Sequence, residues 1–539
     1  MRSKPHSNSI FWPSGLKSLV FSMIAITAWM TFAHSAVGAE QPQAEFSAEK
    51  VYVFGDVHGA FEPLMRLLSG NGLIDDEQRW SGGTAHLVSV GDLLDRGARS
   101  REVMDLLRRL QTEAAEAGGR VHVVLGNHEV MNLTGDLRDV SDAEFAAFAA
   151  SSAEPSTQPA TATDVPIGGE TEPLPLGYAE HRAAFAADGE YGSWLLSLPA
   201  IIKVNQTLFV HGGLSPLLTG RSISEINADV RAELATAVAE QSGERIASDA
   251  LLGSGGPFWY RGSAACHPLL ETPVLERQLE ALQASTLVVG HTPTPRRRIR
   301  QRLNARVYVV DTGMLAKVYR GEPYLLRFEA GASAPTVLDS AGTSSAPDWW
   351  HPLVQREPLA QTATEGTVVK ASKSATKRAV AQFKLDRELG LWMIPYTTAN
   401  AGNKGYVQHV TGTWLTEKER IEQGRNYSNH CVLGHQNLLV AAFDALIGNT
   451  TRTRETLLVH RATGHLRLAP VKDSFGVTTK LPVYAASPTL PPAMAAQLQA
   501  LDSTRLQALL GDLLSPRQLS ALIKRRDKIL EWPRAELEF

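Results

Sequence analysis

Three glycine-flanked strings constrain the fold of this chain, because each places metal-ligating residue types directly after an apolar, β-branched run. They are GDVHG at 55–59, GDLLDRG at 91–97 and GNHE at 126–129. Such runs predict buried parallel strands whose carboxyl ends deliver polar side chains into one crevice, with the glycines allowing sharp turns. LFVHGG at 208–213 and TLVVGHT at 286–292 repeat the pattern with histidine. Five strand ends are therefore predicted to converge.

The residues at these strand ends form a mixed oxygen and nitrogen donor set, which suits Mn²⁺, Fe or Zn²⁺ better than Ca²⁺. Asp92 could bridge two ions, and two ions about 3.5–4 Å apart can activate a water and neutralise a phosphoryl group. Each string alone is more typical of a plain turn or a hydrogen-bonded core histidine than of a metal site, but their joint order favours a two-metal phosphoesterase. The predicted ligands are Asp56, His58, Asp92, Asn127, His211 and His291.

The order GDVHG, GDLLDRG, GNHE, HGG, GHT resembles the calcineurin-like metallophosphatases of the phosphoprotein phosphatase branch. Three segments are similar to Shewanella-like protein phosphatases: GNHEVMN at 126–132, residues 194–216 and PFWYRG at 257–262. The likeness covers residues 48–330. It implies an α/β fold of four layers, in which two β-sheets pack face to face and are flanked by helices. Pro293 stands where many metallophosphatases carry a second histidine, and this departure favours the phosphoprotein phosphatase branch.

The resemblance divides the predicted ligands between two divalent metal ions that share Asp92. The first ion would be held by Asp56, His58 and Asp92. The second ion would be held by Asp92, Asn127, His211 and His291. It also implies direct attack on the phosphate ester by a hydroxide that bridges the two metals, so that no covalent phosphoenzyme is needed.

The resemblance further assigns catalytic and phosphate-binding residues. His128 would act as the general acid toward the leaving oxygen, and Asp95 would keep its imidazole cationic and oriented. Arg96 and Arg261, together with Asn127, would bind the phosphate oxygens, because guanidinium groups pair with phosphate bidentately. Outside this motif, Asp95 and Arg96 would be read as a surface ion pair.

The N-terminal residues predict export. An apolar run extends from Leu19 to Phe32 after basic residues, and Val37 and Ala39 satisfy the small-residue rule for cleavage before Glu40. Residues 1–39 are therefore predicted to be a signal peptide, which places the protein in the periplasm or outside the cell with no stable membrane span after cleavage. An uncleaved anchor is the alternative, although about fourteen apolar residues are short for a span of about twenty.

Length and composition predict two domains. A chain of 539 residues with 43% hydrophobic content exceeds one ordinary domain. The net charge of −3 gives no reason to expect a nucleic-acid partner. The metallophosphatase domain is predicted at 40–330, followed by a linker rich in Ala, Ser, Thr and Pro at 331–365 and a second unit at 366–539.

Two segments near the predicted site have open interpretations. Residues 135–178 form an insertion that begins as an Ala-rich helix, and its middle is predicted to be disordered or a flap over the crevice, with a passive surface loop as the alternative. The basic run RRRIRQR at 296–302 is predicted to be a solvated loop, although its charge would also attract an acidic or phosphorylated substrate.

The two cysteines of the chain, Cys266 and Cys431, fall in different predicted domains. No disulfide between them is therefore predicted, although an oxidising compartment would permit one. Cys266 lies five residues after Arg261 and is expected to be a reduced, partly buried thiol.

The region 366–539 is predicted to be a mostly helical accessory domain, and it resembles atypical kinase-like domains of the phosphoinositide-kinase and HipA type. Asp473 matches their metal-binding aspartate, but Thr451 and Thr456 replace the catalytic aspartate and the magnesium-binding asparagine, and Ala379 replaces a glutamate that pairs a lysine. A pseudokinase-like module that binds a protein partner or steadies the phosphatase is predicted, with chance similarity as the alternative. The similar segments are 377–398, 438–459 and 469–477.

The function that these features predict is hydrolysis of a phosphorylated protein or peptide. An exported small-molecule phosphomonoesterase is the rival enzyme, which a deep narrow pocket would favour, whereas a shallow crevice favours a phosphopeptide. A scaffold that acts through the C-terminal domain and a kinase that opposes its own phosphatase are the remaining alternatives.

Overall fold

The computed structural model describes residues 43–149, 174–241, 246–247, 249–349, 367–400, 405–409, 414–425, 431, 433–461, 463–482 and 488–535. The predicted signal peptide and the middle of the predicted insertion lie outside these residues. Within the described part of the chain, no helix is both long enough and apolar enough to cross a membrane.

One β-sheet is formed, among the described residues, by β2 (Lys50–Phe54), β3 (His86–Ser89), β4 (Arg120–Val123), β10 (Leu325–Glu329), β11 (Thr336–Leu338) and β12 (Ser344–Ser345). Their order across the sheet is β12-β11-β10-β2-β3-β4. Strands β2, β3 and β4 run parallel, so their carboxyl ends lie on the same edge. Strands β10 to β12 are antiparallel to their neighbours.

A second β-sheet is formed, again among the described residues, by β1 (Glu45–Phe46), β5 (Ile201–Val204), β6 (Thr207–Val210), β7 (Thr286–Val289), β8 (Arg300–Arg302), β9 (Val307–Val309) and β13 (Asp348–Trp349). Their order is β1-β5-β6-β7-β9-β8-β13. Strands β6, β7 and β9 run parallel and end on one edge.

The two sheets pack face to face through alternate apolar side chains. Val53 and Val88 of the first sheet and Phe209 and Val288 of the second belong to one buried cluster between them. The Phe209 and Phe328 rings meet edge to face with centroids 6.5 Å apart. Because successive strand residues point to opposite faces, the other residues of each strand pack against helices.

Helices cover the outer face of each sheet, which confirms the predicted four-layer fold. Leu64 and Leu107 pack with Leu87 outside the first sheet, and Ile226 and Val230 belong to the same cluster as Ile201 outside the second. The helices are α1 (Phe61–Gly70), α2 (Ser100–Glu116), α3 (Asn127–Thr134), α4 (Asp142–Phe148), α5 (Tyr178–Ala184), α6 (Glu190–Ser197), α7 (Ile223–Glu240), α8 (Gly262–Ala265), α9 (Pro268–Ala281) and α10 (Ala316–Tyr319).

The C-terminal region, residues 367–535, here called the C-terminal domain, is mostly helical, as predicted. Its helices, among the described residues, are α11 (Lys373–Glu388), α12 (Glu417–Glu422), α13 (Leu433–Ile447), α14 (Pro492–Ala500), α15 (Ser503–Leu510) and α16 (Pro516–Leu530). Two small antiparallel sheets accompany them, in the orders β14-β16-β15 and β17-β18-β19. Their strands are β14 (Thr367–Lys370), β15 (Tyr396–Ala399), β16 (Gly405–His409), β17 (Trp414–Thr416), β18 (Leu457–His460) and β19 (Leu466–Leu468).

The described part of the predicted linker, residues 331–349, belongs to the sandwich. Strands β11 and β12 extend the first sheet, and β13 pairs with β8 in the second. These strands are only two or three residues long, so a composition averaged over the whole segment does not reveal them.

The prediction that RRRIRQR is a solvated loop is wrong for its second half. Arg300 and Arg302 lie in β8 and are 6% and 1% exposed. Arg300 donates to the Asp348 carboxylate at 2.6 Å, while Arg302 donates to the backbone carbonyls of Ser263 and Cys266. Burial of these charges is tolerated because each guanidinium is hydrogen-bonded.

The prediction of free cysteines is also wrong. Cys266 and Cys431 form a disulfide with Cα atoms 5.2 Å apart, and both residues are buried. Two cysteines in different predicted domains can still lie close together in space when those domains share an interface. Here Leu269 and Leu270 of α9 pack into the apolar core of the C-terminal domain.

Candidate active site

All six predicted metal ligands lie at one crevice between the carboxyl edges of the two sheets. Asp56 and His58 follow β2, Asp92 follows β3, and Asn127 opens α3 after β4. His211 follows β6 and His291 follows β7 of the other sheet. None of the six is more than 5% exposed.

Asp92 is the centre of this cluster. Its Oδ1 lies 3.2 Å from His211 Nε2, and its Oδ2 lies 3.8 Å from His58 Nε2. The donor atoms of Asp92, His211 and His291 lie within 4.8 Å of one another, as do those of His58, Asp92 and His128. One carboxylate thus faces two groups of donors, which is the placement that a carboxylate bridging two ions requires.

Each imidazole of the cluster turns one ring nitrogen toward this centre, and His58 Nε2 also accepts a hydrogen bond from Arg96 at 3.1 Å. His58 Nδ1 donates to the Leu94 carbonyl at 3.0 Å and His211 Nδ1 to the Val90 carbonyl at 2.7 Å, so each Nε2 carries the lone pair. His291 Nε2 is buried and has no hydrogen-bond partner among the described residues. Backbone-anchored histidines and an orphaned buried nitrogen fit a divalent metal.

Burial favours the neutral, metal-binding form of two of these histidines. It lowers the pKa of His58 to about 3 despite the nearby Asp92 carboxylate. Burial, with help from the Arg261 charge, lowers the pKa of His291 well below its usual value. Neutral imidazole is the form in which histidine binds a metal ion.

The backbone at the site is locally strained. Positive φ is costly for a residue with a Cβ, at about 1–3 kcal/mol each, and such residues cluster at functional sites. Gly126 makes the close approach possible, since a Cβ there would lie 2.4 Å from the Asp92 nitrogen. The positive-φ residues are His58 (49°), Asp92 (55°), Asp95 (70°), Arg96 (66°) and His291 (61°).

His128 and Asp95 form a buried pair beside the cluster. His128 Nδ1 lies 2.6 Å from Asp95 Oδ2, and Asn132 Nδ2 donates to Asp95 Oδ1 at 2.8 Å. Burial opposes the imidazole charge, but the Asp92 and Asp95 carboxylates outweigh it and raise the pKa of His128 to about 9. The His128 ring is therefore cationic at neutral pH and points Nε2 toward Asp92 Oδ2, 3.8 Å away.

The two predicted phosphate-binding arginines line the same crevice, which has a volume of about 240 Å³. Arg261 donates to the His291 carbonyl at 2.6 Å and to Thr292 Oγ1 at 3.1 Å. Arg96 donates to the Tyr319 hydroxyl and lies 3.4 Å from Asp139 Oδ2, in the first part of the predicted insertion. Positive charge therefore lies on both sides of the cluster.

Sequence reasoning missed two carboxylates of the site. Glu129 accepts hydrogen bonds from the backbone nitrogens of Asp92, Leu93 and Gly126 at 2.9, 2.8 and 2.7 Å, which fixes the two ligand-bearing turns against each other. Asp311 follows β9, and burial with Asp311 nearby raises the pKa of Asp56 well above its usual value. The string VYVVDTG at 307–313 carried the same strand-then-aspartate signal.

Two aromatic residues of the crevice were also missed. Tyr319 stacks on the His58 ring with centroids 5.5 Å apart, and Trp259 meets the His291 ring edge to face at 5.5 Å. Trp259 lies within PFWYRG, whereas nothing around Tyr319 marks it in the sequence.

The family model described as calcineurin-like phosphoesterase matches residues 49–295. Shewanella-like protein phosphatase 1 of Plasmodium berghei is 31% identical over 281 residues, which are 51% of this chain and 70% of that protein. The chain belongs to the calcineurin-like phosphoesterase family. Shewanella-like protein phosphatase 2 of Arabidopsis thaliana is 28% identical over 56% of this chain and 82% of its own length.

Among solved structures, this calcineurin-like chain is similar to the cold-active protein-tyrosine phosphatase of a psychrophilic Shewanella. The identity is 29%, the coverage is 56% of this chain and 81% of that one, and the TM-score is 0.44. The predicted family resemblance is confirmed by the sequence relatives. The kinase-like resemblance of residues 366–539 stays a prediction.

Proposed function

We propose that this calcineurin-like phosphoesterase is an exported protein phosphatase that removes phosphate from phosphorylated proteins or peptides. The observation that carries the proposal is a single buried carboxylate, Asp92, which has His58 on one side and the His211 and His291 donors on the other. It lies in a crevice lined by two arginines and the cationic His128. Two divalent ions, when bound, would neutralise the phosphoryl oxygens and supply the water nucleophile.

The proposed ligands are those named above, and the remaining residues would act on the substrate. Arg96 and Arg261 would bind the phosphoryl oxygens from opposite sides, with the Asn127 amide between them. His128 would donate its Nε2 proton to the leaving oxygen as the ester bond breaks. Asp95 would hold the imidazolium in place through the 2.6 Å contact to Nδ1.

The size of the crevice supports a macromolecular substrate. Pockets that enclose small ligands have volumes of about 300–1,000 Å³, whereas this crevice has about 240 Å³. A phosphoryl group and its side chain would enter, while the rest of the substrate would lie outside. The alternative is a small-molecule phosphomonoesterase, which the same donor set would serve.

The disulfide supports the proposed export. Disulfides persist in oxidising compartments such as the periplasm and are rare in the cytosol. The Cys266–Cys431 bond therefore agrees with the predicted signal peptide at 1–39. The donor set is compatible with Mn²⁺, Fe or Zn²⁺, of which Mn²⁺ is the first to test.

The test is phosphate release by the chain from residue 40 onward, with Mn²⁺, from matched phosphotyrosine, phosphoserine and phosphothreonine peptides and from a small phosphomonoester. We expect metal-dependent peptide turnover with kcat/KM at least about tenfold above that of the small ester, a difference of about 1.4 kcal/mol. If only the small ester is turned over, the protein-phosphatase proposal is wrong. If no substrate shows metal-dependent turnover, the proposal that the chain is a metal-dependent enzyme is wrong.

Replacing Arg261 with alanine should weaken binding of phosphate. Hydrogen bonds to charged groups contribute about 1.5–3 kcal/mol, so KM and the inhibition constant of inorganic phosphate should rise by about 10- to 150-fold. Steady-state kinetics with phosphate as inhibitor measure both constants. Arg505→Ala, which breaks an ion pair with Glu388 in the C-terminal domain, is the matched control and should leave both unchanged. Equal inhibition constants in both variants would contradict the role of Arg261.

A further inference from the structure

The C-terminal domain is bonded to the segment that carries Arg261, here called the Arg261 segment (residues 257–267). Cys266 of the Arg261 segment forms the disulfide with Cys431, and the carbonyl of Ala265 accepts a hydrogen bond from His465 Nε2 at 2.8 Å. The side chains of Cys266, Cys431 and His465 are buried. They join the end of the Arg261 segment to two separate parts of the C-terminal domain.

A third contact continues the same junction. His267 Nε2 donates to the Leu391 carbonyl at 2.7 Å, and His267 Nδ1 accepts from the Leu269 nitrogen at 3.2 Å. The following helix, α9, then buries Leu269 and Leu270 in the core of the C-terminal domain. The Arg261 segment therefore leaves the crevice and enters the interface within a few residues.

Buried hydrogen bonds cross-link the interior of the Arg261 segment. Tyr260 donates to Glu271 Oε2 at 2.8 Å and Ser263 donates to Glu271 Oε1 at 3.1 Å. The buried Arg302 guanidinium donates to the Ser263 and Cys266 carbonyls. A displacement at Cys266 would be transmitted to Arg261 through these bonds rather than absorbed by a loose loop.

We propose that the C-terminal domain positions Arg261, so that the affinity of the crevice for phosphate depends on the Cys266–Cys431 disulfide and on His465. This inference rests on the proposed role of Arg261 as a phosphate ligand. A guanidinium group binds phosphate only in a defined orientation. A misplacement of about 1 Å in an active site lowers the catalytic rate by up to about 10²-fold. Cys266, Cys431 and His465 are positioning residues, since none of them lines the crevice.

The test uses two variants of the otherwise intact chain, Cys266→Ala and Cys431→Ala. Each removes one of the two cysteines of the same disulfide bond. Inorganic phosphate binding is measured by calorimetry at fixed Mn²⁺, without turnover, beside KM and kcat. We expect both variants to raise the phosphate dissociation constant by the same factor, about fivefold or more, with KM rising more than kcat falls. Introduced into Arg261→Ala, neither substitution should weaken phosphate binding further.

His465→Asn is the second variant, for use if a cysteine variant fails to fold. It retains the disulfide and should also weaken phosphate binding. Metal content and thermal unfolding are measured in parallel, with Arg505→Ala as the control. Unchanged phosphate affinity in the folded cysteine variants, or an equal loss in the Arg261→Ala background, would overturn the proposal. A chain that binds phosphate with the expected pattern but hydrolyses nothing would sink the proposed function and leave the positioning role supported.

Discussion

His128→Asn is expected to lower kcat for an alkyl phosphate by about 10²–10⁴-fold, the usual contribution of a general acid. The buried Asp95 contact at 2.6 Å and the raised pKa of about 9 keep the imidazole charged, so the variant removes a proton donor. The loss should be smaller for p-nitrophenyl phosphate, because nitrophenolate departs without a proton. Steady-state kcat values for the two esters measure the difference.

Metal content decides how this result is interpreted. The donor atoms of His58, Asp92 and His128 lie within 4.8 Å of one another, so the geometry also permits His128 to bind an ion. Unchanged metal content with the leaving-group dependence supports the general acid, whereas lost metal and an equal fall for both esters contradict it. His122→Asn is the matched control, since His122 is buried on β4 and contacts His86 at 3.1 Å.

Asp92→Asn is expected to remove metal binding at both groups of donors. Asp92 Oδ1 faces His211 and Oδ2 faces His58, so loss of the carboxylate charge affects both. Even an outer-shell partner changes metal affinity by about 10- to 100-fold, and a shared ligand should exceed the upper end of that range. Metal content after dialysis, by mass spectrometry, should fall from two ions toward none, and activity should be lost with it.

Thermal unfolding gives an independent measure for the same variant. A ligand present at 100 times its dissociation constant stabilises a fold by about 2.7 kcal/mol, so Mn²⁺ should raise the melting temperature of the parent chain and not of Asp92→Asn. Asp75→Asn, on the exposed turn after α1, is the control and should respond like the parent. Retention of two ions by Asp92→Asn would refute the bridging role.

The fold of the sandwich was predictable because its signals are local. Apolar β-branched runs ending in glycine and aspartate or histidine predict the strand and the polar side chain that follows it, and β2, β3, β4, β6 and β7 form where expected. Parallel strands end on one edge, so the convergence of their ligands follows from the pattern itself. Asp311 was missed although its string carries the same signal.

The errors share a different cause, which is non-local pairing. Arg300 and Arg302 are buried because β8 pairs with β9 and β13, and a charge-rich string does not state which strands will flank it. Cys266 reaches Cys431 across 165 positions because α9 enters the core of the C-terminal domain. In both cases the residues that surround the arginines or pair with the cysteine lie far from them in the sequence.

The family signature, the identity of the candidate ligands and the order in which strand ends present them can be read from the chain, since each depends on residues that are adjacent along it. Three features depend on tertiary packing: Asp92 lies between the two donor groups, Tyr319 covers His58, and the C-terminal domain is joined to the segment bearing Arg261. Distances between side chains are set by which elements pack together, and that choice depends on burial over the whole chain.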